Sequence, residues 1–529
     1  MTISLHRRAL ALGATGLAAA AAGQARAQQA ALTIATGGSV TSLDPHYFNA
    51  APNSALATHF FDTFTRRTAT AQIVPSLAES WRVVEPTVWE FKLRAGVKWH
   101  DGRPLTPEDV VFTVARAPAV PNSPGGFGGF LRSIARVEVV DPLTLRFHTR
   151  YPNPILPNDL ASIFIISKHA GEGAATEDYN SGKAVIGTGP YKFVSHRMGD
   201  RTEMERNPDY WGGPQPWARV TYRFIANDAA RTAALIAGDI DVIDQVASSD
   251  LARLKRDARI RVAETEGLRC VYLMPDYSRT GPVPGVTDNA GTPLPANPFL
   301  DVRVRQALNI AIGRDAIAER IMEGQATATR QWLPPGTFGY VADLRPGPAD
   351  VDGAKRLLAE AGFPQGFKLV LTTPNDRFPN DSRIAQAVAQ NWSRIGVQTS
   401  VDALPWASFS TRSARQEFAM RLTSWGSSPA EASYTLANIL HTYDRDRRTG
   451  ASNSGRFSSP ELDAMTQRAQ ATMDDDDRRK QLEDAVRWVA NNAPIMPVVQ
   501  LMHSWASKRN LVVTPRMDER TTALEVRPA

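Results

Sequence analysis

Residues 77–116 read LAESWRVVEPTVWEFKLRAGVKWHDGRPLTPEDVVFTVAR. Val88, Glu90, Lys92 and Arg94 alternate with Trp89, Phe91 and Leu93, the period of two that marks a strand with one aromatic face turned to a core. Asp101-Gly102 supplies a turn. Thr106 stands where a helix N-cap belongs, with Pro107 at the first helical position and Glu108 and Asp109 in the first turn, where acids complement the dipole. His100 beside Asp101 has the chemistry of a general base, but no serine or cysteine nucleophile is near. The pair is read as organising the turn.

Upstream, residues 32–36 form a short apolar strand broken by Gly37-Gly38-Ser39, glycines that would let backbone approach a ligand. Downstream, residues 187–213 read GTGPYKFVSHRMGDRTEMERNPDYWGG: Gly187 and Gly189 flank a bend before a strand, and Asn207-Pro208 is a turn. Residues 219–246 alternate strand, helix and a short apolar run, a βαβ-like rhythm that indicates an α/β layer. A second layer follows Cys270. Asp301 caps VRVRQALNIAI, whose Val304, Leu308, Ala311 and Ile312 share a helical face. Helices over 350–361 and 383–395 alternate with strands over 368–373 and 397–401, making a second α/β domain. The acids 474–477 begin another helix, where they suit the dipole; a calcium loop would need spaced ligands and a bidentate Glu.

At 529 residues, with 43% hydrophobic and 22% charged, the chain is globular and has several domains. The single Cys270 rules out an intrachain disulfide and reads as a small core side chain. The first 27 residues resemble an export signal: His6, Arg7 and Arg8, an alanine-rich apolar core over 9–22, and Ala25-Arg26-Ala27 at the cleavage positions. Removing Arg7, Arg8 and Arg26 lowers the formal charge from +6 to +3. With no basic block interleaved with aromatics, nucleic-acid binding is not expected. The paired arginines resemble a twin-arginine signal, but His6 and Ala11-Leu12 depart from it, so either twin-arginine (Tat) or general (Sec) export fits. No cysteine follows the cut, so no lipid anchor is expected there, and no later run is long and apolar enough to span a bilayer.

The quoted stretches together resemble the extracytoplasmic solute-binding proteins of the peptide/nickel family (family 5) of ABC importers. AESW, an aromatic strand, GVKWHDG (Trp99 where Phe is usual) and TPEDV follow in the family's order. GTGPY with NPDYW, the DVRVRQALNIAI helix (Gly313 where Asp is common) and Ala493-Pro494-Ile495-Met496-Pro497 extend the resemblance over nearly the whole mature length. It implies a two-lobed, periplasmic-binding-protein-like α/β fold of the large three-domain class II form, with mixed sheets and a hinge. The implied divisions are residues 1–27 as signal, 28–72 and 187–269 as lobe 1, 73–186 as an extra domain attached to it, 270–499 as lobe 2, and 500–529 returning to lobe 1. A soluble, monomeric periplasmic protein is expected, handing a peptide or peptide-like ligand to an inner-membrane permease, with no cofactor or metal.

The expected ligand residues centre on residues 423–431, TSWGSSPAE, a loop by its Gly, Ser and Pro content that sets an indole beside small polar groups. If the resemblance holds, ligand lies between the lobe with Ser39 and the lobe with Trp406 and Trp425. Trp425 and Trp406 would form aromatic walls, with Gly426, Ser427 and Ser428 as neighbours and hydrogen-bonding groups. Glu431 would be the carboxylate for a ligand cation. Tyr272, Asn453 and Arg456 complete the candidates, Arg456 as a partner for a carboxylate. In dipeptide and oligopeptide receptors of the family an aspartate after the tryptophan fixes the peptide ammonium. Here Ser427 and Ser428 stand there instead, so either Glu431 takes that role or the ligand is no ordinary free-amine peptide. No catalytic motif of the GxSxG, HExxH or P-loop kind occurs, so an enzyme is not expected; a secreted hydrolase or a ligand-presenting sensor subunit are the alternatives. His441 is the histidine with a place near the loop.

Overall fold

The computed structural model describes residues 31–529 except Asp446 and Arg448, so the expected export signal and cleavage point lie outside the described residues. The chain divides into two compact units, one holding residues up to Arg150, Ile155–Glu264 and Ser504–Ala529, the other Tyr151–Pro154 and Thr265–His503.

In the first unit, Ala31–Thr36 pairs in parallel with Arg219–Phe224 on one side and Val242–Asp244 on the other. Arg219–Phe224 continues antiparallel into Arg201–Arg206 and then Tyr191–Arg197, while Val242–Asp244 pairs antiparallel with residues 505–507, where the chain has returned. Leu32 and Ile34 bury one face with Tyr191, Val220 and Trp505; Ala35 buries the other with Leu235, Ile243 and Ala506. Burial on both faces is why these strands are short apolar runs. The helix Asp228–Ala237 begins at Asn227, whose side chain accepts from the Ala230 N–H, and ends at Gly238 in the left-handed region.

The opening stretch forms the antiparallel sheet Ala78–Glu85, Val88–Leu93, Thr144–Thr149, Ile134–Asp141, in that spatial order. Trp89, Phe91, Leu145 and Phe147 are buried, as the alternation predicts. On the opposite face Glu90 is almost fully covered, its carboxylate taking Arg82 at 2.7 Å and Arg146 at 3.0 Å from the flanking strands. The two hairpins repeat one pattern: Val83-Val84-Glu85 and Val139-Val140-Asp141 end the outer strands, Pro86-Thr87 and Pro142-Leu143 make the turns, and Glu90 faces Arg146 across the centre.

The helix Pro107–Arg116 starts as expected, with the Asp109 carboxylate accepting the Thr106 N–H at 2.9 Å. His100 is a tie between motifs: its Nδ1 accepts from the Gly187 N–H (3.3 Å) and its Nε2 donates to the Gly189 carbonyl (3.0 Å). The GTGPY glycines serve close packing, since a Cβ at Gly187 would stand 1.8 Å from the Phe60 carbonyl oxygen and one at Gly189 2.5 Å from the Phe60 carbonyl carbon. A side chain at either position would displace backbone.

In the second unit, Lys368–Pro374 pairs in parallel with both Gln398–Leu404 and Met420–Gly426, and the latter runs antiparallel to residues 269–275. Helices Val302–Ile310, Val351–Glu360 and Asp381–Ser393 cover one face, where Val304, Leu308, Ile384 and Trp392 pack with Leu369, Leu371 and Leu422. Helices Pro460–Ala471 and Asp475–Asn492 cover the other, with Leu462, Leu482 and Val486 against Cys270, Tyr272 and Met274. Asp474 caps the last helix, accepting the N–H groups of Asp476 and Asp477. Among the described residues no helix is long and apolar enough to cross a membrane.

Candidate functional site

The three parallel strands of the second unit end on one edge. Lys368–Pro374 runs into Asn375-Asp376-Arg377, Gln398–Leu404 into Pro405-Trp406, and Met420–Gly426 into Ser427-Ser428. Carboxyl ends of parallel strands are where open α/β sheets place ligands, because the loops there leave backbone and side chains facing outward. With neighbouring strands about 4.8 Å apart, the three strands span roughly 10 Å laterally, and Met420–Gly426 runs on about 10 Å past the level of Pro374.

Trp406 opens the helix Trp406–Ala414, is 37% exposed, and stacks on Phe409 at 5.7 Å between centroids. Its backbone N–H donates to the Asp376 carboxylate at 2.7 Å, and the Arg377 guanidinium lies 5.0 Å from its ring centroid. Pro405, at the N-cap, has no side-chain oxygen to offer, so Asp376 from the neighbouring loop supplies that acceptor. Arg377 is exposed and puts a positive charge on an open indole. Sequence reasoning passed over Asp376 and Arg377; their position just past a strand end was the available signal.

Trp425 is half-buried and stacked on Tyr434, with centroids 5.4 Å apart and planes 22° off parallel. Tyr434 was also missed, since it lies beyond the loop in the next helical segment. At Gly426 a Cβ would come within 3.3 Å of the Arg269 guanidinium, the cross-strand neighbour. Ser427 and Ser428 differ. Ser427 is buried, its N–H donating to the Leu268 carbonyl (2.9 Å) and its hydroxyl to the Glu431 carbonyl (3.1 Å), whereas Ser428 is exposed. Ala430 takes a left-handed φ of 54° as the loop turns.

Glu431 is 4% exposed and its carboxylate is already engaged, accepting from Arg478 Nη2 and from the Ser433 hydroxyl. Arg478 is itself 2% exposed. Phe338 packs against this pair: its ring centroid lies 4.8 Å from the Arg478 guanidinium and 4.4 Å from that of Arg479, and its backbone brackets Glu431 through Ala430 and Ala432. In place of the free carboxylate expected from sequence, there is an internal ion pair.

Tyr272 is 4% exposed in the core, opposite Thr423 in register. Asn453 is fully buried as a loop pin, donating to the carbonyls of His441 and Phe457 and accepting the Phe457 N–H. Arg456 lies over the Tyr443 ring at 3.8 Å and donates to the Asn453 carbonyl. His441 is buried; its Nδ1 is 3.0 Å from the Thr442 carbonyl, and Gln467 lies 3.2 Å from its Nε2. Cys270 is fully buried, and burial pushes its thiol well above the usual range. Ser39, in the first unit, is exposed and follows the carboxyl end of Ala31–Thr36. Among the described residues no group of His, Cys, Asp or Glu is arranged to hold a metal.

Heme-binding protein A of Haemophilus influenzae is 30% identical over 455 residues, covering 80% of this chain and 78% of that protein. The dipeptide-binding protein of Escherichia coli is 27% identical, covering 82% of each chain. Among solved structures, HbpA2 from Haemophilus parasuis superposes with a TM-score of 0.81 at 26% identity, over 94% of this chain and all of that one. The family model described as bacterial extracellular solute-binding proteins, family 5 Middle, matches residues 72–446. The chain therefore belongs to family 5 of the bacterial extracellular solute-binding proteins.

Proposed function

We propose that this protein is the periplasmic substrate-binding component of an ABC importer, capturing a peptide-like solute and delivering it to an inner-membrane permease. The observation that carries the reading is the carboxyl edge of three parallel strands in the second unit, which carries Trp406 and Arg377 at two strand ends and the Trp425–Tyr434 stack and Ser428 at the third. Aromatic faces supply apolar contact area, Arg377 supplies a cation for a ligand carboxylate, and Ser428 supplies a hydroxyl. Relatives named for dipeptide, heme and glutathione binding support the solute class. Binding of this kind needs no covalent step, because a ligand that prefers one conformation shifts the population toward it. The protein acts as a monomer, without nucleic acid or cofactor, after export by a cleaved signal.

A thermal-shift panel tests this, using di- and tripeptides, glutathione, hemin, opines, sugars and nickel–histidine. A ligand at one hundred times its dissociation constant stabilises the native state by about 2.7 kcal/mol, a readable rise in Tm. At least one peptide-like compound is expected to raise Tm, with the gain lost in Arg377→Ala. No shift across the panel, together with turnover of a peptide or ester substrate, would replace the binder with a hydrolase.

A further inference from the structure

We infer that the ligand meets the Trp425 loop with an uncharged or anionic end, and that Arg478 is the residue that sets this specificity by masking Glu431. The inference rests on the solute-binding reading above and narrows its substrate class to peptide-like acids whose amino end is acylated, closed into an amide, or absent.

Glu431 is the only acid between residues 423 and 440, so it is the one carboxylate this loop could offer an ammonium. It is held on two sides, by Arg478 Nη2 and by the Ser433 hydroxyl, and both members of the ion pair are covered. The Phe338 ring against Arg478 and the backbone bridge from Phe338 to Glu431 fix the pair in place. An ammonium that took this carboxylate would leave the Arg478 guanidinium buried without a counter-charge, and an uncompensated buried charge costs more than a solvated ammonium gains on pairing. The loop therefore presents the ligand with an indole, a small turn and the Ser428 hydroxyl, none of which neutralises a cation. Farther along the same edge Arg377 and Asp376 are both exposed, the Asp376 carboxylate accepting the Trp406 backbone N–H, so charges of both signs lie at the Trp406 end. An amine at the Trp425 end finds no carboxylate in the loop that is not already held.

Calorimetric titration of the full mature protein with matched pairs tests the inference: Ala-Phe, Ala-Ala-Phe and glutathione, each against its N-acetyl form. The N-acetyl compounds are expected to bind at least tenfold more tightly. Arg478→Gln unmasks Glu431 and is expected to narrow or reverse that preference. The double variant Glu431→Gln, Arg478→Gln removes both charges together and is expected to keep the wild-type preference, which stays readable if Arg478→Gln alone fails to fold. Equal or tighter binding of the free amines by the wild type, or their selective loss in the double variant, overturns the inference while leaving the solute-binding reading intact. Failure of every pair to bind overturns that reading for peptide-like solutes, and the inference with it.

Discussion

Both units end parallel strands on a carboxyl edge, and the two edges are finished in opposite ways. In the first unit Arg231, 1% exposed, donates to the carbonyls of Ile225 (2.7 Å), Ala226 (3.2 Å), Asp244 (3.2 Å) and Gln245 (2.9 Å) and to the Asp228 carboxylate (2.8 Å). One guanidinium thus ties together the chain leaving two strands. Gly37 makes room for it, since a Cβ there would lie 2.9 Å from Arg231 and 2.7 Å from the Gln245 side chain, and Gly38 makes room for Pro52 at 2.5 Å. In the second unit the strand ends are tied by carboxylates, Asp376 to Trp406 and Glu431 to Arg478, and the arginine and indole at 377 and 406 face solvent. The same topology yields a hydrogen-bonded seam in one unit and a surface rich in side chains in the other.

The largest effect that separates the two edges is expected from Arg231→Met. It leaves buried carbonyls without donors and the Asp244 carboxylate without its nearby cation, which lies 3.9 Å away. A loss of about 3–5 kcal/mol in the stability of the first unit is expected. Urea unfolding followed by circular dichroism measures it; a change below about 1 kcal/mol would show that the seam is not needed.

Acid is expected to act on the first unit next. His46, His59 and His100 are all there, each with a pKa lowered to about 4 chiefly by burial. Each ring is fixed as a neutral tautomer by one donated and one accepted bond: His46 to Phe164 and from Arg116, His59 to Leu56 and from Ala523, His100 to Gly189 and from Gly187. The unfolded chain, with histidines near 6.5, binds more protons between those values, so stability is intact above about pH 6.5 and falls as pH drops toward 4. Asp62 and Asp244 work against this, because burial raises both to about 6 and the folded state takes up their protons first. Three histidines outweigh two acids, and a net loss of a few kcal/mol by pH 4.5 is expected for the first unit. Unfolding midpoints in urea at pH 7.0, 5.5 and 4.5 report it; a first-unit midpoint that is flat or rises toward pH 4.5 would show that the acids prevail.

These features were unevenly legible in the sequence. The Thr106-Pro107 helix start, the aromatic strand over 88–93 and the helix faces of 304–312 are local patterns, set by capping and period, and the structure has them. His100 beside Asp101 was readable as a turn element, but its bonds to Gly187 and Gly189 depend on a partner segment 87 residues on. Gly187 and Gly189 were visible as a bend, whereas the reason for them, the Phe60 backbone, is not local. The same holds at the site. Trp406, Trp425 and Ser428 stood out by composition, but the Arg478 that occupies Glu431 is 47 residues away, and Arg377 joins Trp406 only because their strands are parallel neighbours. Sequence shows which groups exist; pairing across strands and helices decides which charges remain for a ligand.

The smallest effect on stability, and the most informative about function, is expected at the open edge. Trp406→Ala removes a partly exposed ring stacked on Phe409 beneath Arg377, so stability should fall by only about 1–2 kcal/mol. Ligand affinity should fall by about tenfold, the scale of one aromatic contact. Trp406→Phe keeps a ring at the same place and should recover most of it. Titration calorimetry with whichever peptide-like compound raises Tm measures both variants, and urea unfolding confirms that the fold is intact. If Trp406→Ala binds as tightly as the wild type, the ligand sits toward Trp425 and away from residue 406. If it unfolds more easily by several kcal/mol, the second edge is a structural seam like the first, and the contrast between the two units disappears.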